Sequence, residues 1–435
     1  MFRLPDGTLR FSPRDLIAYL EGDFSAWCDR MDAERVRADP AVAPAPGWFR
    51  ADPKDAELDL VARKGLEHEG RFLARVKAGE PGLVELAQGD SATADTLAAM
   101  RAGAPVIFQG HLAVGAWHGY PDFLFRTPGP SALGDYHYVA WDTKLARSAR
   151  PYFLVQLCAY ADLLETIQRV RPAELVFVLG NEDELHFETV HYFAYYRQIR
   201  RSFLGFQKTW SPDCIPHPGF DRSWGRWSDA AEQRLDETDH LSRVARISRA
   251  QIRRLGEVGI ATLRHLAETD VAGVPSIKAP IFDRLRLQAR LQYRSTEGAP
   301  PLWELVPPPP NEPRRGLVLL PPPSPLDVFF DMEGFPFARD GGLEYLFGAS
   351  VPQGEAPAFR DWWAHDDAGE QRAFEGFIDW VMERRKRDPD LHVYHYASYE
   401  VTAVKRLAGK YATREAEVDD LLRGDVFVDL YAVVR

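Results

Sequence analysis

GYPDFLFRTPGPSALGDYHYVAWDTKLA, residues 119–146, holds two runs of β-formers separated by a segment rich in proline and glycine. The runs extend to HLAVGAWHGYPDFLFR (111–126) and YHYVAWDTKLA (136–146) and read as two strands of a hairpin. TPGPSALGD (127–135) reads as the turn-rich loop between them. Side chains alternate across a strand, so Val139 and Trp141 face one side while Asp142 and Lys144 share the other. On the preceding strand Asp122 also projects between apolar neighbours.

Two aspartates and a lysine on one hairpin suit metal-dependent phosphodiester hydrolysis. The acids would hold Mg²⁺ or Mn²⁺, which polarises the phosphate and lowers the pKa of a bound water. The lysine would orient that water and offset developing negative charge. An Asp-x-Lys by itself is a common tripeptide and reads first as a surface salt bridge between Asp142 and Lys144.

Outward from the hairpin the periodicity changes. DAELDLVARKGLEHEGRFLARVKA (55–78) repeats Leu58, Val61, Phe72 and Val76 at helical spacing, with Gly65 and His68 on the same stripe. RPYFLVQLCAYADLLETIQRV (150–170) reads as an amphipathic helix and ELVFVLG (174–180) as a buried strand. Helix, hairpin, helix, strand is an α/β core.

Taken in order, the polar residues are Gly65-x-x-His68-Glu69, Gly119-x-x-Asp122, Asp142-x-Lys144 and Gln156-Leu157-x-x-Tyr160. Across roughly residues 10–180 this resembles the RecB-like branch of the PD-(D/E)XK nucleases, whose core is restriction-endonuclease-like. The resemblance implies that Asp122 and Asp142 are metal ligands, that Lys144 is the catalytic lysine, and that His68 is the third ligand. Glu69 is the fallback for that third place, and as an isolated residue it reads as a solvated helix charge. Gln156 and Tyr160, four apart on one helix face, would abut the site and the DNA. Many relatives staple this domain with a four-cysteine iron–sulfur cluster. Only Cys28, Cys158 and Cys214 occur here, so no iron–sulfur cluster is expected.

Beyond this core, SPDCIPHPGFDRSWGRW (211–227) marks a soft boundary. The region 216–299 is helical and centres on ISRAQIRRLGEVGIATLRHLAE (247–268). Its helix, Leu-Gly-x-x-Gly-Ile, helix pattern looks like a helix–hairpin–helix, whose glycine turn would let backbone N–H groups approach a DNA phosphate. From Leu241 to Arg294 the chain carries 11 Lys+Arg and 4 Asp+Glu, although its overall net charge is −11. An acidic protein with one basic stretch can hold nucleic acid through that stretch. Arg249, Arg253, Arg254 and Arg264, flanking the Gly256–Gly259 turn, are the DNA-binding candidates, and an ordinary helical hairpin with solvated arginines is the alternative.

Residues 300–325 contain 11 of the 33 prolines and read as a semi-rigid linker. After it, LDVFFDMEGF (326–335) opens a third unit, with LHVYHY (391–396) as a second strand. Asp331 and Glu333 lie two apart on one strand face. With Glu400 in HYASYE and Asp429 in FVDLYAVV they resemble the motifs of DEDD exonucleases of the RNase H-like fold, which use two metals. The last acid of that set would lie beyond Arg435, making this unit a truncated RNase H-like domain. The domain order, 1–215, 216–299, linker and 326–435, resembles RecB-like nucleases often followed by a helicase. No Walker A pattern occurs here, so a helicase would be fused further along or act in trans.

Composition is that of ordinary globular protein, 45% hydrophobic and 27% charged. No apolar run is long enough to span a membrane, and the N-terminus lacks a signal-peptide core. The expectation is a cytoplasmic α/β hydrolase: a Mg²⁺-dependent DNA nuclease acting on ends or single strands in repair or recombination. A catalytically inactive DNA-positioning module and an RNA-processing nuclease are the rivals.

Overall fold

The computed structural model describes all residues except 5, 36–48, 54, 55, 297, 309–312, 340, 353–355 and 435. Asp55 at the start of the first helix reading, Pro309 and Pro310 of the linker, and Arg435 therefore lie outside the described residues. The chain divides into two units, Met1–Trp303 and Glu304–Arg435. Both are mixed α/β.

In the first unit, six strands form one sheet: β1 (Val84–Glu85), β2 (Val106–Phe108), β3 (Phe123–Ser131), β4 (Gly134–Lys144), β5 (Glu174–Leu179) and β6 (Glu184–Glu188). They are ordered β6-β5-β4-β3-β2-β1. The β3–β4 hairpin is antiparallel and β4–β5 parallel, the crossover between the latter running through α2 (Pro151–Gln168). One side of the sheet packs on α2 through Leu124, Tyr138, Ala140, Leu157 and Leu164. Phe123, Val178 and Trp141 belong to a second cluster with Phe72 of α1 (Ala56–Gly79). Each such side chain contributes about 1.5–3 kcal/mol when fully buried.

Two expectations change. The run 111–126 is not one strand: it breaks into a small hairpin, Leu112–Val114 with Trp117–Gly119, before β3 begins at Phe123. TPGPSALGD is not an open loop either, because β3 continues to Ser131 and β4 starts at Gly134. Pro128 and Pro130 are tolerated because β2 pairs with β3 only over Phe123–Phe125. The Arg126 N–H still donates to the Pro105 carbonyl at 2.9 Å; beyond it no strand among the described residues pairs with the outer edge, and a missing N–H costs nothing there.

After α3 (Thr189–Lys208), the stretch 211–227 packs against the N-terminal helix Asp23–Arg35. Trp227 is buried there, and its Nε1 donates to Asp29 Oδ1 at 3.0 Å. Residues 241–289 have a core of their own, built around Leu255, Leu266 and Phe282. It is formed by α4 (Arg249–Glu257), α5 (Leu263–Glu268) and α6 (Ala279–Arg294).

The second unit has a five-stranded sheet. In chain order its elements are β7 (Val328–Phe335), β8 (Leu343–Val351), β9 (Ala358–Trp363), α7 (Asp367–Arg387), β10 (Val393–His395), α8 (Tyr399–Tyr411), α9 (Glu415–Arg423) and β11 (Phe427–Asp429). The strand order is β9-β8-β7-β10-β11, the first three antiparallel and the last two parallel to β7. Phe330 and Met332 point into the core with Phe374 and Phe377 of α7. Among the described residues, no helix is long and apolar enough to cross a membrane.

Candidate active site

The end of the β3–β4 hairpin gathers side chains from four segments. Lys144 Nζ donates to Asp142 Oδ2, as two-residue spacing on one strand face requires. Gln156 Nε2 on α2 donates to the other Asp142 oxygen at 3.0 Å and to Tyr160 Oη at 3.1 Å. Tyr160 in turn donates to the Tyr120 carbonyl at 3.0 Å. This chain of bonds fixes the helix to the segment that carries Asp122. Gly119 is required for it: a Cβ there would sit 2.6 Å from the Tyr160 ring.

Asp122 Oδ2 accepts from both the backbone N–H and the hydroxyl of Thr143, each at 2.7 Å. Burial still raises its pKa, against the opposing charge of Lys144, the Thr143 hydrogen bonds and His68. Glu69, on α1, accepts from Gln109 Nε2. Its carboxyl is pushed up to about 7, first by burial and then by the charge of Asp122, with Gln109 and Lys144 pulling the other way. Glu69 is thus not a solvated helix charge. Burial lowers the pKa of Lys144, while Asp122 and Glu69 oppose the shift. His68 is buried, with Nε2 3.4 Å from the Val178 carbonyl and Nδ1 without a partner among the described residues.

Among the described residues, no three His, Cys, Asp or Glu side chains lie close enough together to hold a metal ion by themselves. The donor chemistry nonetheless fits Mg²⁺, which is commonly held through one or two carboxylates together with water and substrate phosphate. Glu69 and Asp122 are two hard oxygen donors whose mutual repulsion a cation would relieve, and His68 Nδ1 is a buried atom lacking a partner.

The acids of the second unit are arranged differently. Asp331 and Glu333 lie on the exposed face of β7. Glu400, at the start of α8, is buried, 3.4 Å from His395 Nδ1; burial raises its pKa and Asp331 adds to the shift. Asp429 Oδ1 accepts from the N–H groups of Ala397 and Tyr431, both at 2.8 Å. A further acid, Glu344 on β8, is buried and accepts from Tyr399 Oη at 2.8 Å and from Arg406. Nothing in its local sequence, LEYLF, marks it as polar-paired.

Of the basic candidates, Arg249 donates to the Asp221 carbonyl and Arg254 to the Ser276 carbonyl at 2.6 Å. Arg264 pairs with Glu268 at 3.1 Å. Arg253 has no partner among the described residues. The N–H groups of Val258, Gly259 and Ile260 all donate inside the turn, to Leu255, Gly256 and Leu255. They are spent on closing it, so a phosphate contact in this region falls to side chains.

A family model of the RNase H superfamily, RNase_H_2, matches residues 328–435. The second unit therefore carries an RNase H-like region, which suggests a nuclease-type hydrolase activity. No curated protein matches the chain.

Proposed function

We propose that the chain is a divalent-metal-dependent DNA nuclease of the RecB-like PD-(D/E)XK kind. It hydrolyses phosphodiester bonds at the hairpin site of the first unit, on ends or single strands during repair or recombination. The observation that carries this reading is the convergence of side chains at the hairpin end: Lys144 and Gln156 both hold Asp142, Thr143 holds Asp122, and Tyr160 ties α2 to the Asp122 segment. Burial raises both nearby carboxyls, Glu69 and Asp122, and the charge of Asp122 adds to the rise at Glu69.

Asp122 and Glu69 would hold Mg²⁺ or Mn²⁺, with His68 and Asp142 as neighbouring donors. The bound ion would polarise the phosphate and acidify a water. Lys144, held on Asp142 Oδ2, would orient that water by a hydrogen bond and offset charge developing on the phosphate. Asp142 fixes the ammonium of Lys144, and Gln156 fixes Asp142. Tyr160 holds α2 against the Asp122 segment, so a strand lying on the helix stays in register with the lysine.

A second reading rests on the RNase H superfamily match, with Asp331, Glu333, Glu400 and Asp429 as a two-metal set. The engagement of Asp429 Oδ1 with two backbone N–H groups weighs against it, whereas Glu400 Oε2, buried without a hydrogen-bond partner among the described residues, favours it. Cleavage assays on single-stranded DNA, duplex DNA and RNA, each with Mg²⁺, Mn²⁺ or EDTA, test the proposal. Metal-dependent DNA cleavage is expected. Its absence with both metals would leave a DNA-positioning module that serves a helicase, and cleavage of RNA alone would make the chain an RNA-processing enzyme.

A further inference from the structure

The segment Leu145–Arg150 leads directly from Lys144 to the first turn of α2. It lies so close to the end of β5 that a Cβ on Gly180 would fall 2.2 Å from the Leu145 carbonyl oxygen. The segment carries two exposed arginines, Arg147 and Arg150, neither with a side-chain partner among the described residues. Other arginines of this unit, Arg75, Arg171, Arg200 and Arg226, make ion pairs.

Beside Arg150 a cavity of about 380 Å³ opens between α2 and α3. Its walls include Leu154, Phe187, Tyr192, Tyr195 and Tyr196, and among the described residues Arg150 is its one charged lining residue. Tyr196 is buried and anchored to Asp162 at 2.9 Å, whereas Tyr195 is 61% exposed. The hydroxyls of Tyr192 and Tyr195 have no partner among the described residues. An apolar, tyrosine-lined space with a free cation at its rim suits a flat aromatic group attached to an anion. The same helical turn reaches the candidate active site, since the Phe153 ring lies 5.5 Å from Lys144 Nζ.

We infer that this cavity is a base subsite: it takes one unpaired base of a DNA strand, with Arg150 on the adjoining phosphate, and so sets where the strand lies relative to Lys144. The inference rests on the nuclease reading for its purpose but not for its test. A paired base cannot enter such a space without leaving its stack, so the subsite would favour single strands and frayed ends.

The test uses the full chain in EDTA and a fluorescein-labelled single-stranded DNA 12-mer, with an abasic site placed at each position in turn. Anisotropy should show one position where base loss weakens binding about tenfold, the size expected of a base stacked on an aromatic side chain. In Tyr195→Ala, whose exposed side chain is not needed for folding, that penalty should disappear. Arg150→Ala should flatten the plot of log K against log salt by about one. An abasic penalty equal in wild type and Tyr195→Ala would overturn the inference, as would binding confined to the RNA version of the strand or absent altogether. Failure of the nuclease reading looks different: no cleavage with either metal, while the position-specific abasic penalty persists.

Discussion

Two acidic clusters, one in each unit, invite comparison because the family match and the site geometry single out different ones. The family match falls on the second unit, yet its strand acids Asp331 and Glu333 point outward, and Asp429 is engaged by backbone N–H groups. The first unit lies outside that match, yet its hairpin holds a lysine among carboxylates from a helix, a strand and the segment leading into another strand. Fold kinship and site chemistry are separate properties. A buried, mutually strained set of charges is the better guide to where work is done.

The largest effect should come from the lysine. Lys144→Ala should lower metal-dependent cleavage at least 100-fold, in line with losing one electrostatic contact to the transition state, roughly 3 kcal/mol. Asp122→Asn should do the same. Circular dichroism should show both variants folded, and near-normal activity in either would break the comparison outright.

The helix residues come next. Glu69→Gln should cost about tenfold or more in cleavage, since Glu69 shares its field with Asp122 and Lys144. His68→Gln should cost less. Sequence alone puts these two in the opposite order, so the pair of rates measures what the structure adds. If His68→Gln proved the more severe, the histidine would be the third ligand.

A smaller effect concerns pH. Glu69 and Asp122 are both raised, so in the absence of metal each stabilises the fold most below its unfolded pKa and least above its folded one. For Glu69 the loss runs between about 4.5 and about 7. Thermal melts in EDTA should show wild type losing on the order of 1–2 kcal/mol across that window, after allowance for solvent screening. Glu69→Gln should lose less, and Mg²⁺ added at pH 8 should restore wild type but not Asp122→Asn. An unchanged profile in Glu69→Gln would remove the strain on which the comparison depends.

The smallest effect tests the basic stretch. Arg254 is engaged by the Ser276 carbonyl, so Arg253→Ala alone should flatten the salt dependence of DNA binding, by about one unit of log K per unit of log salt. Fluorescence titrations at three salt concentrations would show it. An identical slope would leave 241–294 a structural helical region.

Much of the first site was legible because strand and helix periods are rigid. Spacing of two put Lys144 on Asp142, and spacing of four put Gln156 against Tyr160. Glu69 was not legible, because its partner Gln109 lies 40 residues away and only tertiary packing removes the carboxylate from water. The same holds for Glu344, a lone acid in an apolar strand whose partners Tyr399 and Arg406 come from α8. Glycine spacing correctly suggested a turn after Leu255, but not that the turn's own N–H groups would be used to close it. Prolines misled over 127–135, because their cost depends on whether a neighbouring strand asks for the missing donor.

The central claim, that the hairpin of the first unit and not the acids of the second performs the chemistry, is tested most directly by one variant. Asp331→Asn combined with Glu333→Gln should be assayed in the full chain for Mg²⁺-dependent cleavage of single-stranded DNA, beside wild type and Lys144→Ala. The account predicts a rate within about twofold of wild type for the double variant, since no interaction with the reacting phosphate is lost. A loss as deep as that of Lys144→Ala would contradict it and move the active site to residues 328–435.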